Sequence, residues 1–254
     1  KIMAEVEFKN DVKEGKAKYY YHSGQISSEG NFLNDLKEGI WKSYDDNGDM
    51  DSEEFYTDGL LQGNAGYYEY GKLVREIEYR DNERHGAMKR YGSNGELGIE
   101  MYYEEGLLTS YSYLDKNKKL LPPIWLKNLS GTMEAYYSNG TKSAVVEVKA
   151  GYYHGSYKFY NEKGILLYDS NEEYGNTNGV EKKFYPNGQL YMSHLEEYDV
   201  TEGLVKEYYP DGKLFSEGNY ISGNPHGPLK MYDQTGKLIE TRFYHHGYIM
   251  SIKK

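Results

Sequence analysis

Short stretches in which aromatic and polar residues alternate recur along the whole chain, and each is bounded by glycine. Counting from Gly15, a small residue returns every 21 to 24 residues. These anchor positions are Gly15, Gly39, Gly63, Gly86, Ser110, Gly131, Gly155, Gly179, Gly203, Gly227 and Ser251. A fixed period of this length is typical of repeat architectures, in which each repeat is one supersecondary unit.

Each unit contains the signals for two strands and two tight turns. An aromatic residue stands five positions after the anchor (+5), as Tyr20 and Tyr44 do, and a turn glycine stands at +9, as in Asn47-Gly48. Asn-Gly between short aromatic runs is the strongest local hairpin signal, because glycine adopts a positive φ without steric cost. The pattern therefore predicts an all-β fold, an elongated and twisted antiparallel meander of about ten 24-residue β-hairpin repeats in a single sheet.

The turn chemistry favours one of two strand registers. Pro210-Asp211-Gly212 predicts a type I turn followed by a left-handed glycine, which makes a three-residue loop and places Tyr208 opposite Leu214. A two-residue loop would instead pair Lys206 with Glu217. We treat these registers as alternatives, and the proline favours the first.

One unit departs from the pattern. Asp115 replaces the +5 aromatic residue, and Pro122-Pro123, which cannot donate to a strand ladder, stands where a strand is due. The sequence therefore predicts N-terminal repeats over 1–109, a degenerate repeat or kink over 110–130, and C-terminal repeats over 131–254, all in one continuous array. We expect Trp125 to pack inward, with an exposed docking role as the alternative.

The repeat unit resembles a known family. Gly39–Gly63 and Gly203–Gly227 follow the pattern G-x-x-K-x-Y-x-x-N-G-x-L-x-x-E-x-x-Y-x-x-G-x-x-x-G, which is similar to the MORN-repeat variant common in bacterial multi-repeat proteins. The resemblance implies a non-enzymatic role in interaction, and some bacterial relatives are labelled antitoxin components. Others carry kinase names from lipid kinases with a separate catalytic domain, which this chain does not resemble.

Composition and charge narrow the partners. The 254 residues include 31 Tyr, 29 Gly and no Cys, which excludes disulfides and thiolate chemistry. Thirty basic and 40 acidic residues give a net charge of −10, which argues against nucleic acid and an anionic membrane surface as partners. No apolar run approaches the roughly 20 residues of a membrane-spanning helix.

The apparent catalytic and metal motifs are explained by the repeat. Gly66–Lys72 resembles a phosphate-binding loop but is followed by Leu73 instead of Ser or Thr. The anchor-preceding His85, His154 and His226 are about three repeats apart, too far to share a metal. His245-His246 would point to opposite faces of a strand. Carboxylates at +14 read as a solvated acidic stripe: Glu29, Glu53, Glu100, Asp169 and Glu217. We predict no catalytic, cofactor or metal site.

The most informative functional feature is therefore a tyrosine-rich, acidic surface. We expect it to bind a protein, because Tyr offers a large contact area at little entropic cost. A surface carbohydrate-binding module is the alternative, and an antitoxin-like neutraliser of a partner protein is a third hypothesis. The candidate contact residues are Tyr20, Tyr44, Tyr160, Tyr208, Tyr232 and Trp125.

Two further expectations concern the ends of the chain. The apolar segment Tyr248–Ile252 either caps the last hairpin or pairs end to end with another copy. The chain begins Lys1-Ile2-Met3 without a hydrophobic leader, so a signal peptide was removed or never present. We expect export to the periplasm or cell surface in preference to the cytoplasm.

Overall fold

The computed structural model describes residues 3–69 and 71–254, and nearly all regular structure in those residues is β. Lys1-Ile2 and Tyr70, which figure in the sequence analysis, lie outside the described residues. The first strands are β1 (Ala4–Lys9), β2 (Val12–Tyr20), β3 (Ile26–Leu33), β4 (Leu36–Tyr44), β5 (Met50–Thr57), β6 (Leu60–Glu69), β7 (Lys72–Arg80), β8 (Glu83–Tyr91), β9 (Leu97–Glu104), β10 (Leu107–Ser112) and β11 (Ile124–Trp125).

A single 3-10 turn at Lys127–Leu129 precedes the remaining strands of the described chain. They are β12 (Gly131–Tyr136), β13 (Lys142–Lys149), β14 (Tyr152–Tyr160), β15 (Leu166–Glu173), β16 (Asn176–Thr177), β17 (Gly179–Phe184), β18 (Leu190–Glu197), β19 (Val200–Tyr208), β20 (Leu214–Ile221), β21 (Asn224–Tyr232), β22 (Leu238–His245) and β23 (Tyr248–Lys253). Within the described residues, no helix is long and apolar enough to cross a membrane.

The strands form two antiparallel meanders in two compact units, Lys1–Trp125 and Leu126–Lys254. β1 to β11 pair in sequence order in the first unit, and β12 to β23 do so in the second, where the short β16 pairs with β15 beside the main path. The predicted all-β hairpin array is confirmed, but the single predicted sheet is divided. Pro122-Pro123 explains the division, because neither residue can donate to a ladder and β11 is left with only two residues.

Two kinds of turn alternate along both meanders. In the first kind, the Gly212 N–H donates to the Tyr209 carbonyl oxygen at 2.8 Å and the Tyr209 N–H donates to the Lys213 oxygen at 2.7 Å, which closes a three-residue loop. In the second kind, two consecutive residues have positive φ, as Asp58 (50°) and Gly59 (76°) do. This is the type I′ turn, whose twist matches that of the flanking strands.

Both predicted strand registers occur together. Tyr208 pairs with Leu214, and Lys206 pairs with Glu217, because Phe215 is the extra residue of a β-bulge between the two pairs. The register shift removes the conflict that the sequence analysis assumed. The corresponding Lys–Glu pairs are Lys18 with Glu29, Lys42 with Glu53 and Lys89 with Glu100.

A second bulge explains the anchor glycines. Gly155 has a φ of 99°, and the strand register shifts around it between the pairs of Val146 and Val148. The Ser156 N–H donates to Glu147 Oε2 at 2.7 Å, and a Cβ on Gly155 would clash with that same oxygen. Gly155 is therefore glycine both for its backbone conformation and for the space that the carboxylate occupies.

Strand alternation gives each sheet two different faces. One face, here called the buried face, carries the +2 residues such as Ala17, Trp41, Ala65 and Met88, which are almost fully buried. The opposite face, here called the tyrosine face, carries the +5 tyrosines and the Lys–Glu pairs. In the first unit, Ala17 and Trp41 pack with Phe32 in one apolar cluster.

Candidate functional site

The five predicted tyrosines all lie on the tyrosine face, and all are half-buried. Three of their hydroxyls donate to carboxylates of the preceding unit: Tyr20 to Glu5 at 2.9 Å, Tyr44 to Glu29 at 2.9 Å and Tyr232 to Glu217 at 3.0 Å. Burial, followed by its hydrogen bond to Glu29, raises the pKa of Tyr44. These side chains therefore expose only part of the ring, and much of their polar capacity is used within the sheet.

The predicted acidic stripe is an alternating row of lysines and carboxylates. Lys18 Nζ lies 3.5 Å from Glu29 Oε2, and Lys42 Nζ lies 2.9 Å from Glu53 Oε2. The register causes this pairing, because it places a +3 lysine opposite a +14 carboxylate in five units. In two other units the residue opposite the lysine is Ser193 or Thr241. Exposed pairs of this kind contribute about 0–1 kcal/mol each, so they specify register more than they stabilise the sheet.

A second set of tyrosines ties consecutive hairpins together. The Tyr21 hydroxyl donates to the carbonyl oxygen of Tyr44 at 2.7 Å, and the Tyr209 hydroxyl donates to that of Tyr232 at 2.8 Å. Tyr137 and Tyr185 make the same bond one unit ahead. The hydroxyls at +6 therefore link each of these units to the next one by a hydrogen bond.

An apolar row crosses the tyrosine face of the second unit, and the sequence analysis missed it. Its members stand at +1 and +16, and these are Val180, Leu195, Leu204, Pro228 and Phe243 on β17, β18, β19, β21 and β22. Val180 is 50% exposed, Leu195 38%, Leu204 48% and Phe243 39%. The corresponding row of the first unit has only one such pair, Ile40 and Phe55. The sequence signal that could have revealed the row is the apolar residue directly after an anchor glycine, as at Val180, Leu204 and Pro228.

Trp125 does not pack inward as expected. Its side chain is 69% exposed, and the neighbouring Ile124 is 40% exposed. The reason is the shortness of β11, whose two residues pair with Ser110 and Tyr111 of β10. A docking role for Trp125 stays a prediction.

The segment predicted to cap the array or pair with another copy forms β23. Tyr248, Ile249, Met250 and Ile252 are 77%, 52%, 66% and 52% exposed. End-to-end self-association through this strand stays a prediction.

A cavity of about 300 Å³ opens beside Trp41 on the buried face of the first unit. Its lining includes Tyr19, Ser28, Phe32, Lys37, Trp41, Ser43, Ser52 and Glu54. The indole ring is only 4% exposed, its Nε1–H donates to the Asn31 carbonyl oxygen, and Lys37 Nζ lies 4.6 Å from the ring centroid. Because the ring is already covered, it offers little surface on which a sugar could stack.

A buried polar cluster occupies the same face of the second unit. His194 Nε2 lies 2.7 Å from Glu196 Oε1 and 3.7 Å from Glu181 Oε1, and all three side chains are nearly inaccessible. The Tyr168 hydroxyl donates to Glu181 Oε2 at 2.5 Å. Met101 occupies the equivalent of His194 in an earlier unit, so the cluster replaces apolar core with polar side chains that contact one another.

Glu172 adds a further buried carboxyl to this region. It is 5% exposed, and its Oε1 accepts hydrogen bonds from Ser170 Oγ at 2.6 Å and Thr177 Oγ1 at 3.2 Å. Burial raises the pKa of Glu172 above its usual 4.5, and the two hydroxyls oppose that shift only in part. The structure thus disfavours the ionised form of this side chain.

Glu172→Gln is expected to increase stability at neutral pH. With a raised folded-state pKa, the unfolded chain loses this proton first, so ionisation favours unfolding as pH rises above about 4.5. The glutamine keeps an acceptor for both hydroxyls and removes the charge. Thermal unfolding at several pH values should show a higher Tm for the variant at pH 7 and a smaller difference near pH 4. An equal or lower Tm at pH 7 would contradict the prediction.

Three histidines meet at the turn between β22 and β23. The ring centroids are 5.3 Å apart for His226 and His245, 4.9 Å for His226 and His246, and 4.6 Å for His245 and His246. The prediction that His245 and His246 point apart is wrong, because His246 lies in the type I′ turn with a φ of 47° and does not continue the strand.

The Gly66–Lys72 segment has no helix after its glycines. Gly66 lies within β6, and β7 begins at Lys72. A phosphate-binding loop requires a helix N-terminus at this point, whereas Glu69 and Lys72, on either side of Tyr70, belong to the paired strands β6 and β7.

With the hairpins in place, the family assignment follows from the repeat itself. The model described as "MORN repeat variant" matches residues 13–34, 37–58, 177–194, 201–222 and 225–246. Five units of this chain therefore match the MORN repeat variant. Four of the matches run from two residues before an anchor glycine to the type I′ turn that ends the unit. MORN repeats are generally non-enzymatic, and the described residues of 59–109 and 131–176 form the same kind of hairpin outside the matched segments.

Other comparisons add little. No curated protein is significantly similar in sequence to this chain. A solved structure titled "Crystal Structure of TcdB2-TccC3-Cdc42" is 11% identical over 89% of this chain, with a TM-score of 0.22. The matched region is 14% of that structure's chain, and so weak a likeness carries no argument about this protein.

Proposed function

We propose that these MORN variant repeats form a non-enzymatic scaffold that binds another protein along the apolar row of the second unit. The observation that carries this proposal is the exposure of large apolar side chains on neighbouring strands, with Val180 directly opposite Leu195 and Leu204 on the next strand. Contiguous exposed apolar surface with a polar rim is typical of protein interaction sites.

The dimensions of the row favour a protein partner. From Val180 on β17 to Phe243 on β22 the row spans six neighbouring strands, a distance of roughly 24 Å at about 4.8 Å per strand. The polar Asn219 takes the position of the row on β20, opposite Leu204. An extended segment or a helix of a partner can follow a row of this length, whereas a sugar needs open aromatic faces. The net charge of −10 favours a partner that is basic around its apolar contact, since unlike charges speed association.

The proposal does not need an active site. The buried His194 cluster resembles acid–base machinery, but its polar side chains contact one another inside the sheet, and the Tyr168 hydroxyl donates to Glu181. We assign these residues a structural role in holding β15, β17 and β18 together.

Peptide display against the intact chain tests the proposal. Selected peptides are expected to combine aliphatic or aromatic residues with Lys or Arg. The double variant Leu195→Ser/Leu204→Ser should weaken their binding at least about tenfold, since each buried aliphatic side chain contributes about 1.5–3 kcal/mol. Raising the salt from about 50 mM to about 300 mM should weaken binding further, because it screens the charges.

Ile40→Ser/Phe55→Ser is the matched control, because it removes exposed apolar residues from the same repeat positions of the first unit. Its affinity for the selected peptides should equal that of the wild type. Equal loss in both double variants, or selection of acidic peptides, would contradict the proposal. Binding to immobilised glycans without any peptide selection would favour the carbohydrate alternative.

A further inference from the structure

The histidines at the β22–β23 turn have an arrangement that other units do not repeat. Nitrogen atoms of His226, His245 and His246 all lie within 4.8 Å of one another. Across residues 3–69 and 71–254, this is the one group of three potential ligand side chains that converges in this way. His226 is half-buried on β21, whereas His245 and His246 are exposed.

Equivalent positions in other units show what the repeat alone requires. The residue before the anchor usually caps the type I′ turn: Glu38 Oε2 accepts the Asp58 N–H at 3.0 Å, and Glu202 Oε1 accepts the Ser222 N–H at 2.6 Å. His226 Nδ1 accepts from the backbone N–H of His246 at an N-to-N distance of 3.5 Å, which makes it a weak cap. The capping role therefore does not explain a histidine at this position.

A second comparison isolates the other two histidines. His154 occupies the position of His226 in an earlier unit, and its ring lies 4.8 Å from that of Tyr174, which stands where His246 does. An aromatic contact alone is thus met by a His–Tyr pair. The last unit differs, because it has imidazoles at three positions: before the anchor (His226), at the end of β22 (His245) and in the turn (His246).

We propose that His226, His245 and His246 bind a divalent transition-metal ion, with Zn²⁺ as the best match. Imidazole is a preferred ligand of Zn²⁺, and three histidines with an open fourth position make a known type of tetrahedral site. Zinc–nitrogen bonds of about 2.0–2.1 Å bring ligand nitrogens to roughly 3.3 Å from one another. The exposed His245 and His246 side chains close the remaining distance by rotating.

Metal binding at this place has a structural consequence. The three ligands come from β21, from the end of β22 and from the turn into β23, so one ion ties the last hairpin to the preceding strand. Since the ion binds the folded turn and not the unfolded chain, it stabilises that hairpin, and the stabilisation grows with the logarithm of the zinc concentration above the Kd. The ion would stabilise β23 most, because the apolar side chains of this strand are exposed and contribute little by packing.

Isothermal titration of the intact chain with ZnCl₂ tests the site, and CaCl₂ serves as the comparison ion because Ca²⁺ prefers oxygen ligands. We expect one Zn²⁺ per chain and no Ca²⁺ at this site. His246→Tyr and His245→Ile should each weaken zinc binding at least about tenfold. Both substitutions copy residues found at the same positions of other units, Tyr174 and Ile221, so the fold should be kept.

His154→Gln is the matched control, because it removes a histidine from the equivalent position of another unit, and its zinc affinity should equal that of the wild type. Hydrogen exchange supplies a second measurement, in which zinc should slow exchange of the β23 amides in the wild type and not in His246→Tyr. Absence of zinc binding would overturn the proposal. A zinc isotherm that is the same in the wild type and both ligand variants would also overturn it.

Discussion

Replacing Trp41 by alanine is expected to lower the free energy of unfolding of the first unit by about 3–5 kcal/mol. The indole is 4% exposed, contacts Phe32 edge-on at a centroid distance of 5.0 Å and packs directly over the Cα of Gly30. Gly30 lies directly beneath the ring and has no side chain. It therefore cannot fill the space that the alanine substitution leaves. Denaturant unfolding, with hydrogen exchange of β3 and β4 to locate the loss, measures the effect.

Trp125→Ala is the matched control, since it removes the same side chain from a site that is 69% exposed. It should change stability by no more than about 0.5 kcal/mol. Equal losses in the two variants would contradict the packing described for Trp41. A loss below about 1 kcal/mol in Trp41→Ala would do so as well.

Gly155→Ala is expected to lower the free energy of unfolding of the second unit by about 2–5 kcal/mol. Part of this is the backbone, because a φ of 99° is strained for alanine by about 1–2 kcal/mol. The rest is the displacement of the Glu147 carboxylate, which would leave the Ser156 N–H without its acceptor at a cost of about 1–3 kcal/mol.

Gly203→Ala separates the two contributions. Gly203 is also an anchor with a positive φ, 73°, but nothing lies within 4 Å of a Cβ placed there. This variant should lose only the backbone part, about 1–2 kcal/mol. Urea unfolding of both variants measures the two free energies. Equal losses of the free energy of unfolding would show that the Glu147 carboxylate contributes nothing at Gly155.

The periodic residues made the fold predictable. Asn-Gly and Asp-Gly signals set the hairpins, and the three-residue loop at Asp211-Gly212 placed Tyr208 opposite Leu214. The +5 tyrosines were assigned to one face for the same reason, because alternation within strands follows directly from sequence spacing. The type of a turn depends on a few consecutive residues, so it can be predicted from the sequence of those residues alone.

The candidate sites were harder to predict, because they depend on small displacements of the chain. One bulge residue, Phe215, allows two registers that a simple ladder would make exclusive. A change from strand to turn at His246 brings its ring toward His245 instead of away from it. Trp125 was placed in the core by its apolar neighbours, but its strand is too short to cover it.

By itself the sequence determined the all-β class, the hairpin unit, its period and the residues that share a face, because these follow from turn conformation and two-residue alternation. Only the tertiary structure decided which carboxylates are paired, that the sheet divides in two, which apolar side chains stay exposed at Val180, Leu195 and Leu204, and that three histidines converge. The physical reason is that burial and contact between neighbouring strands depend on bulges, and a bulge such as that at Phe215 moves side chains by one register position without a distinct sequence signal at the bulged residue.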